Sequence, residues 1–271
     1  MLYTIPNENL REFHFLAMKD FVNLIGGFSD IKFAPFGFWW LGWIVATIIC
    51  SAFAFKLCYK KHLQRYFLSC GIIMLFTLLY RLFIFSFKSG EFSFDLNALP
   101  ITAFDVPVFT ILLAGIFMKG KIHDLLSSFN ASFGGVLGAL VIFIPNSLPS
   151  GFIGVAIGQK LNALLTIVIA VVNLKSYSKS FKIFDFLMGF CIFFGAFILV
   201  EGCEFILASL VNLSSPCFFG NYFESSYPIF SHLLSAFPHI LVTFIFALLL
   251  AEISAGIHYL AFKLSTRKKR Y

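Results

Sequence analysis

Seven stretches of at least about 18 predominantly apolar residues run through this chain, and runs of that length constrain its fold more than any other feature. They cover Phe36 to Leu57, Tyr66 to Phe87, Ile101 to Met118, Ser127 to Ile144, Gly151 to Val172, Ile183 to Glu204 and Phe237 to Ala261. Each is continuous rather than alternating, which predicts helices and argues against β structure. In hydrocarbon an unpaired backbone group costs several kcal/mol, and a helix satisfies its own. With 59% apolar residues, 12% charged residues and a mean hydropathy of +0.91, the chain lies far from soluble domains, where about 25% of residues are charged. The predicted fold is therefore all-α, a polytopic bundle of seven transmembrane helices.

The basic residues orient this bundle, because cytoplasmic connections accumulate Lys and Arg. Lys56, Lys60, Lys61 and Arg65 follow the first run, Lys119 and Lys121 the third, and Lys175, Lys179 and Lys182 the fifth. Lys263, Arg267, Lys268, Lys269 and Arg270 end the chain, so these positions hold fourteen of its 20 Lys and Arg. The alternate connections carry Arg11, Lys19, Lys32 and Lys88, while Arg81 and Lys160 lie inside runs. Seven crossings make this asymmetry consistent at every turn. The N-terminus is expected outside, the C-terminus in the cytoplasm, and the protein in the cell membrane.

Three segments follow: an amphipathic surface segment over 1–35, the seven-helix domain over 36–262 and a basic tail over 263–271. Within the first, Leu10, Phe13, Ala17, Phe21 and Leu24 form a helical stripe ended by Gly26 and Gly27. Such a helix lies on the outer membrane surface or packs over the mouth of the bundle. No cleavable leader is expected, since no short apolar core followed by small residues precedes the first run. The tail would favour anionic lipid.

Several function classes recede at this point. The positive residues sit in short connections rather than on one clustered face, so nucleic acid is not an expected partner. Cys50, Cys58, Cys70, Cys191, Cys203 and Cys217 show no paired or His-linked spacing, and no P-loop, dinucleotide fingerprint or HExxH run is present. No metal or cofactor is predicted. The 39 phenylalanines are spread over every segment and mark no aromatic site. The expected surroundings are membrane lipid, and the expected ligand class is a lipid or small amphiphile.

Ionisable groups inside a membrane are costly, so they come first as site candidates. Arg81, Asp105, Lys160, Glu201, Glu204 and His239 fall at similar depth toward the outer side, with Gln159 and Asn162 beside Lys160. Pairs such as Arg81 with Asp105, and Lys160 with Glu201 or Glu204, would satisfy the charges. The set either lines an outward-facing polar pocket or holds the bundle together through interhelical ion pairs. Glu252 lies deeper and without an obvious partner. Gly134 and Gly138, with Ala131 and Gly135 adjoining, predict close approach of the fourth helix to a neighbour. Pro145 and Pro149 bracket a short turn that makes the fourth and fifth helices antiparallel neighbours. Trp39, Trp40 and Trp43 suit the headgroup boundary.

From Leu99 to Leu260 the sequence also carries an ordered set of short motifs. These are Leu99-Pro100-Ile101-Thr102-Ala103-Phe104-Asp105 leading to Lys119, Gly134-Gly135 with Ala139-Leu140, Asn212, Gly220-Asn221-Tyr222 and Phe237-Pro238-His239-Ile240-Leu241. Their order resembles the bacterial YwaF-like integral membrane family, relatives of eukaryotic transmembrane protein 164. The resemblance implies a seven-helix fold, and in the eukaryotic relatives an acyltransferase using a membrane-embedded Cys and His. At the corresponding places this chain has Thr102 for the His, Phe104 for the Cys, and Gln159 and Lys160 where a further His is expected. A phenyl ring is no nucleophile, and Thr102 without an adjacent base is a poor one.

Three functions fit these residues. The first is a diverged, non-catalytic member that binds a lipid or small amphiphile in the polar pocket. The second is a lipid-acyl transferring enzyme with relocated catalytic residues, for which Asp105, His239 and Cys203 are the candidates. The third is a transporter or its substrate-binding subunit, with Lys160, Glu201 and Glu204 on the solute.

Overall fold

Four helices are long and apolar enough to cross a membrane: Phe38–Leu57, Gln64–Phe87, Lys121–Phe143 and Ile153–Leu174. At 1.5 Å rise per residue, 20 residues reach roughly 30 Å, the thickness of the hydrocarbon core. The computed structural model describes residues 7–27, 37–57, 63–93, 102–117, 120–143, 152–177, 187, 189–199, 202, 206 and 239–267. Among them the backbone is almost entirely helical and forms no strand. In chain order the elements are α1 (Asn7–Gly26), α2 (Phe38–Leu57), α3 (Leu63–Phe87), α4 (Val106–Ile116), α5 (Lys121–Phe129), a π-turn (Asn130–Gly134), α6 (Gly135–Phe143), α7 (Ile153–Tyr177), α8 (Gly189–Leu199) and α9 (His239–Arg267).

The helix in the third apolar run is shorter than the sequence predicts. It begins at Val106 rather than Ile101 and has 11 residues, roughly 16 Å of rise. Pro107 supplies the reason, because a ring without an N–H fits the first turn of a helix and not its interior. Ahead of it the chain turns, with the Asp105 N–H donating to the Thr102 carbonyl at 3.0 Å. The fourth run behaves oppositely, its helix starting at Lys121 rather than Ser127. At the end of the chain, α9 carries on through Arg267, so the first part of the basic tail is helical.

The rod formed by α5, the π-turn and α6 is the centre of the described bundle. Of its most apolar window 78% is buried, against 6% for α2, in which Thr47 is the buried residue. Phe129, Phe133 and Phe193 stack with centroids 5.8 and 5.2 Å apart. Val136, Leu137, Leu250 and Ala251 belong to the same cluster, which joins the rod to α8 and α9. On the other side Phe67, Met74, Val108, Ile111 and Ile169 join α3, α4 and α7.

Small residues decide how closely these helices approach, since lipid gives apolar faces no reason to avoid it. A Cβ at Gly71 would lie 2.7 Å from Leu112 Cα, and one at Gly115 would lie 2.7 Å from Leu68 N, so α3 and α4 touch backbone to backbone at two levels. A Cβ at Gly138 would lie 2.9 Å from the Ala163 carbonyl, and one at Gly135 would lie 2.8 Å from Ala170 Cβ. The close approach expected of the fourth run is therefore present, and its partner is α7. Pro145 and Pro149 lie outside the described residues.

Helix α1 ends at Gly26 as expected, and Gly27 turns the chain at φ 61°. Its seated face differs from the predicted stripe. Ala17, Phe21 and Leu24 are exposed, while Val22 is buried against Ile84, Phe85, Phe152 and Val155, with Met18 alongside. Bulk explains the shift: a Cβ at Gly26 would lie 2.6 Å from the Phe152 ring, so the line through Val22 and Gly26 is the one that fits against the bundle. The Ile153 N–H donates to the Gly27 carbonyl at 3.1 Å, and the Tyr80 hydroxyl donates to the Ile25 carbonyl at 2.8 Å. These contacts fasten α1 to α3 and to the start of α7.

Candidate functional site

Arg81 on α3 and Asp105 at the start of α4 face each other across the most tightly packed helix pair. Arg81 Nη1 donates to Asp105 Oδ1 at 3.2 Å, and Nη2 donates to Oδ2 at 2.9 Å. Their side chains are 3% and 6% exposed. A bidentate fork of this kind is the geometry in which a buried carboxylate is best matched. The Thr102 hydroxyl adds a third donor to Oδ2 at 2.8 Å, and the Thr102 N–H approaches the same oxygen at 3.4 Å. The turn ahead of α4 places Thr102, three residues before Asp105, where it can reach back.

The other wall comes from α7. Gln159, Asn162, Ala163 and Thr166 line a cavity closed by Phe104, Asp105 and Pro107 on one side and by Leu137, Gly138 and Val141 on α6. The Thr77 hydroxyl on α3 donates to Asn162 Oδ1 at 2.6 Å, and the Thr166 hydroxyl donates to the Asn162 carbonyl at 2.8 Å. Lys160 is 1% exposed, and its ammonium donates to the Val141 carbonyl, whose residue borders the cavity. The free space inside is about 20 Å³. One water needs roughly 10–15 Å³, so this partly open cavity has free space for about one.

The structure thus gathers part of the predicted set. Arg81, Thr102 and Asp105 form one hydrogen-bonded group; Asp105, Gln159 and Asn162 share the cavity, and Lys160 flanks it. Glu201, Cys203 and Glu204 lie outside the described residues. His239 is the first residue of α9, and its side chain lies outside them as well. Glu252 is exposed on α9. Among the described residues no three His, Cys, Asp or Glu side chains cluster as a metal site would require.

Sequence reasoning passed over a second polar layer. The Thr110 hydroxyl donates to Asn130 Oδ1 at 2.7 Å, and the Ser132 hydroxyl donates to the Ser128 carbonyl at 2.9 Å. Ser127, Asn130 and Asn173 are completely buried, and the Asn173 amide makes no hydrogen bond among the described residues. Asn130 opens the π-turn, where the Gly135 N–H reaches back five residues to the Asn130 carbonyl. The signal was the run Ser127-Ser128-Phe129-Asn130-Ala131-Ser132 within an apolar stretch. Neutral amides and hydroxyls depress hydropathy too little to stand out as charges do.

Chemically, the Asp105 carboxylate accepts from two guanidinium nitrogens and a hydroxyl. Phe104 presents a ring to the cavity. The arrangement can hold a polar group between Asp105 and the α7 amides. Compared with protein-family models, curated proteins and solved structures, the chain matches none.

Proposed function

We propose that this chain is a multi-pass protein of the cell membrane, crossing it seven times with the N-terminus outside and the C-terminus in the cytoplasm. The cavity between α4, α6 and α7 receives the polar part of a lipid or small amphiphile and carries out no reaction on it. The observation that carries this reading is that Asp105, paired with the buried Arg81, lines the same cavity as Gln159 and Asn162. Charges are retained inside a membrane protein at considerable cost, and a ligand-facing role is a recognised reason for keeping them. Four long apolar helices support the membrane setting, and the distribution of Lys and Arg supports seven crossings and their direction.

Kinship with the YwaF-like family belongs to the same proposal and rests on the ordered motifs from Leu99 to Leu260. Phe104 and Thr102 at the family's Cys and His positions favour binding over acyl transfer. Native mass spectrometry of the protein purified in mild detergent, together with lipidomics of a deletion strain, tests the reading. The expected result is a retained lipid or amphiphile adduct that Asn162→Leu weakens. Finding neither an adduct nor an altered lipid profile would overturn it.

A further inference from the structure

The second polar layer, further along the central rod than the cavity, differs in one respect from polar groups that merely fasten helices together. In lipid such groups satisfy one another, yet two amides here do not. Asn130 is completely buried; its Oδ1 accepts from Thr110, and its Nδ2 has no hydrogen-bond partner among the described residues. Asn173 is completely buried as well, and neither its Nδ2 nor its Oδ1 has a partner among them.

Helix register brings the two residues to one level. A Cβ at Gly138 would meet the Ala163 carbonyl and Thr166, and a Cβ at Gly135 would meet Ala170, so α7 descends as the rod ascends. One further turn on each helix brings Asn173 level with Asn130 and Ala131. Ser127, one turn before them on the rod, is also completely buried, and its hydroxyl lies 3.5 Å from Nε2 of the half-buried His123. The other ring nitrogen, Nδ1, donates to the Ala114 carbonyl at 2.8 Å, which in the neutral ring leaves Nε2 to accept from the Ser127 hydroxyl. Lys121 and Asp124, beside His123, are exposed. Polar side chains thus lead, in steps of three or four residues, from the surface end of the rod to Asn130. Beyond Asn130 stands the Thr110 hydroxyl, 3.2 Å from the carbonyl of Pro107, which lines the cavity.

The unmatched atoms define what they accept. Two NH2 groups and one carbonyl oxygen are mostly donors, which disfavours a metal cation. Ser127, Asn130 and Asn173 are neutral, so they lack the charge that holds an anion in hydrocarbon. A buried water both donates and accepts, and it makes about three hydrogen bonds to groups that otherwise have none.

We propose that Asn130 and Asn173 hold water that enters from the cytoplasmic end of the bundle past His123. The interior then has a hydrated site on the inner side of the Thr110–Asn130 hydrogen bond, separate from the ligand cavity on its outer side. The full chain, isotope-labelled and in lipid bilayers, tests this by magic-angle-spinning NMR that reads magnetisation transferred from water. The side-chain amides of Asn130 and Asn173 are expected to receive it as early as exposed Lys121 and well before Phe193, which is completely buried in apolar packing. Asn173→Leu is expected to abolish the early signal at Asn130 while the resonances of Arg81 and Asp105 keep their positions, and His123→Phe to delay transfer to both amides.

The native chain decides the site by itself: amides that receive magnetisation no earlier than Phe193 overturn it. Early transfer that His123→Phe leaves unchanged overturns the entrance. The cytoplasmic direction rests on the topology proposed above. With the native cysteines replaced, labelling of Cys at position 123 by an impermeant maleimide in intact cells would overturn that direction and the topology together, whereas the water signals bear on the site alone.

Discussion

Arg81 and Asp105 each have a partner that matches them, and separating the partners leaves an uncompensated charge in a medium that cannot solvate it. Arg81→Met or Asp105→Leu is therefore expected to lower stability by about 3–5 kcal/mol, whereas the two combined recover most of the loss. Thermal unfolding of the four proteins in one detergent checks the cycle. Thr110→Val removes the donor to the buried Asn130 oxygen and is expected to cost about 1–3 kcal/mol by the same measurement. The two sites were not equally legible. Arg81 and Asp105 interrupt apolar runs with full charges, and matching their depths across consecutive helices suffices to pair them. Thr110 and Asn130 are neutral, and their pairing depends on a π-turn that no hydrophobic period announces.

Among elements, glycines govern the spacing. Gly115→Val would drive a branched side chain into the Leu68 backbone, and overpacking of this kind costs about 1–3 kcal/mol or more. The expected outcome is loss of a monodisperse peak in size-exclusion chromatography, while Gly42→Val, where a Cβ would meet nothing within 4 Å, leaves the peak intact. The pattern of long apolar runs was enough to locate the helices and to foresee the close seam around Gly138. It misplaced the start of α4, because Ile101 to Asp105 is apolar enough to read as helix while Pro107 sets where the helix begins. It did not single out the line of α1 that touches the bundle. Hydropathy ranks Phe21 and Leu24 above Gly26, yet Gly26 is what lets α1 sit against Phe152.

For the whole molecule, the proposed topology of seven crossings makes a sharp prediction. In a background with the six native cysteines replaced, Cys at position 60 and Cys at position 179 should be shielded from a membrane-impermeant maleimide in intact cells, and Cys at position 88 should react. Reaction of position 60 but not of position 179 would rule out the arrangement.

The first helices of the chain rest on surfaces made much later. Trp40 on α2 donates to the Phe143 carbonyl at a separation of 103 residues, and Gly27 at the end of α1 accepts from Ile153. A ribosome adding about 5–20 residues per second needs roughly 5–20 s to cover about a hundred residues. For that interval α1 has only its contacts with α3, and α2 exists without the α6 and α7 surfaces it docks on. Assembly is thus completed backwards, an early part of the chain being fastened by a newer one, and a nascent chain stopped before α7 lacks the surface that holds α2.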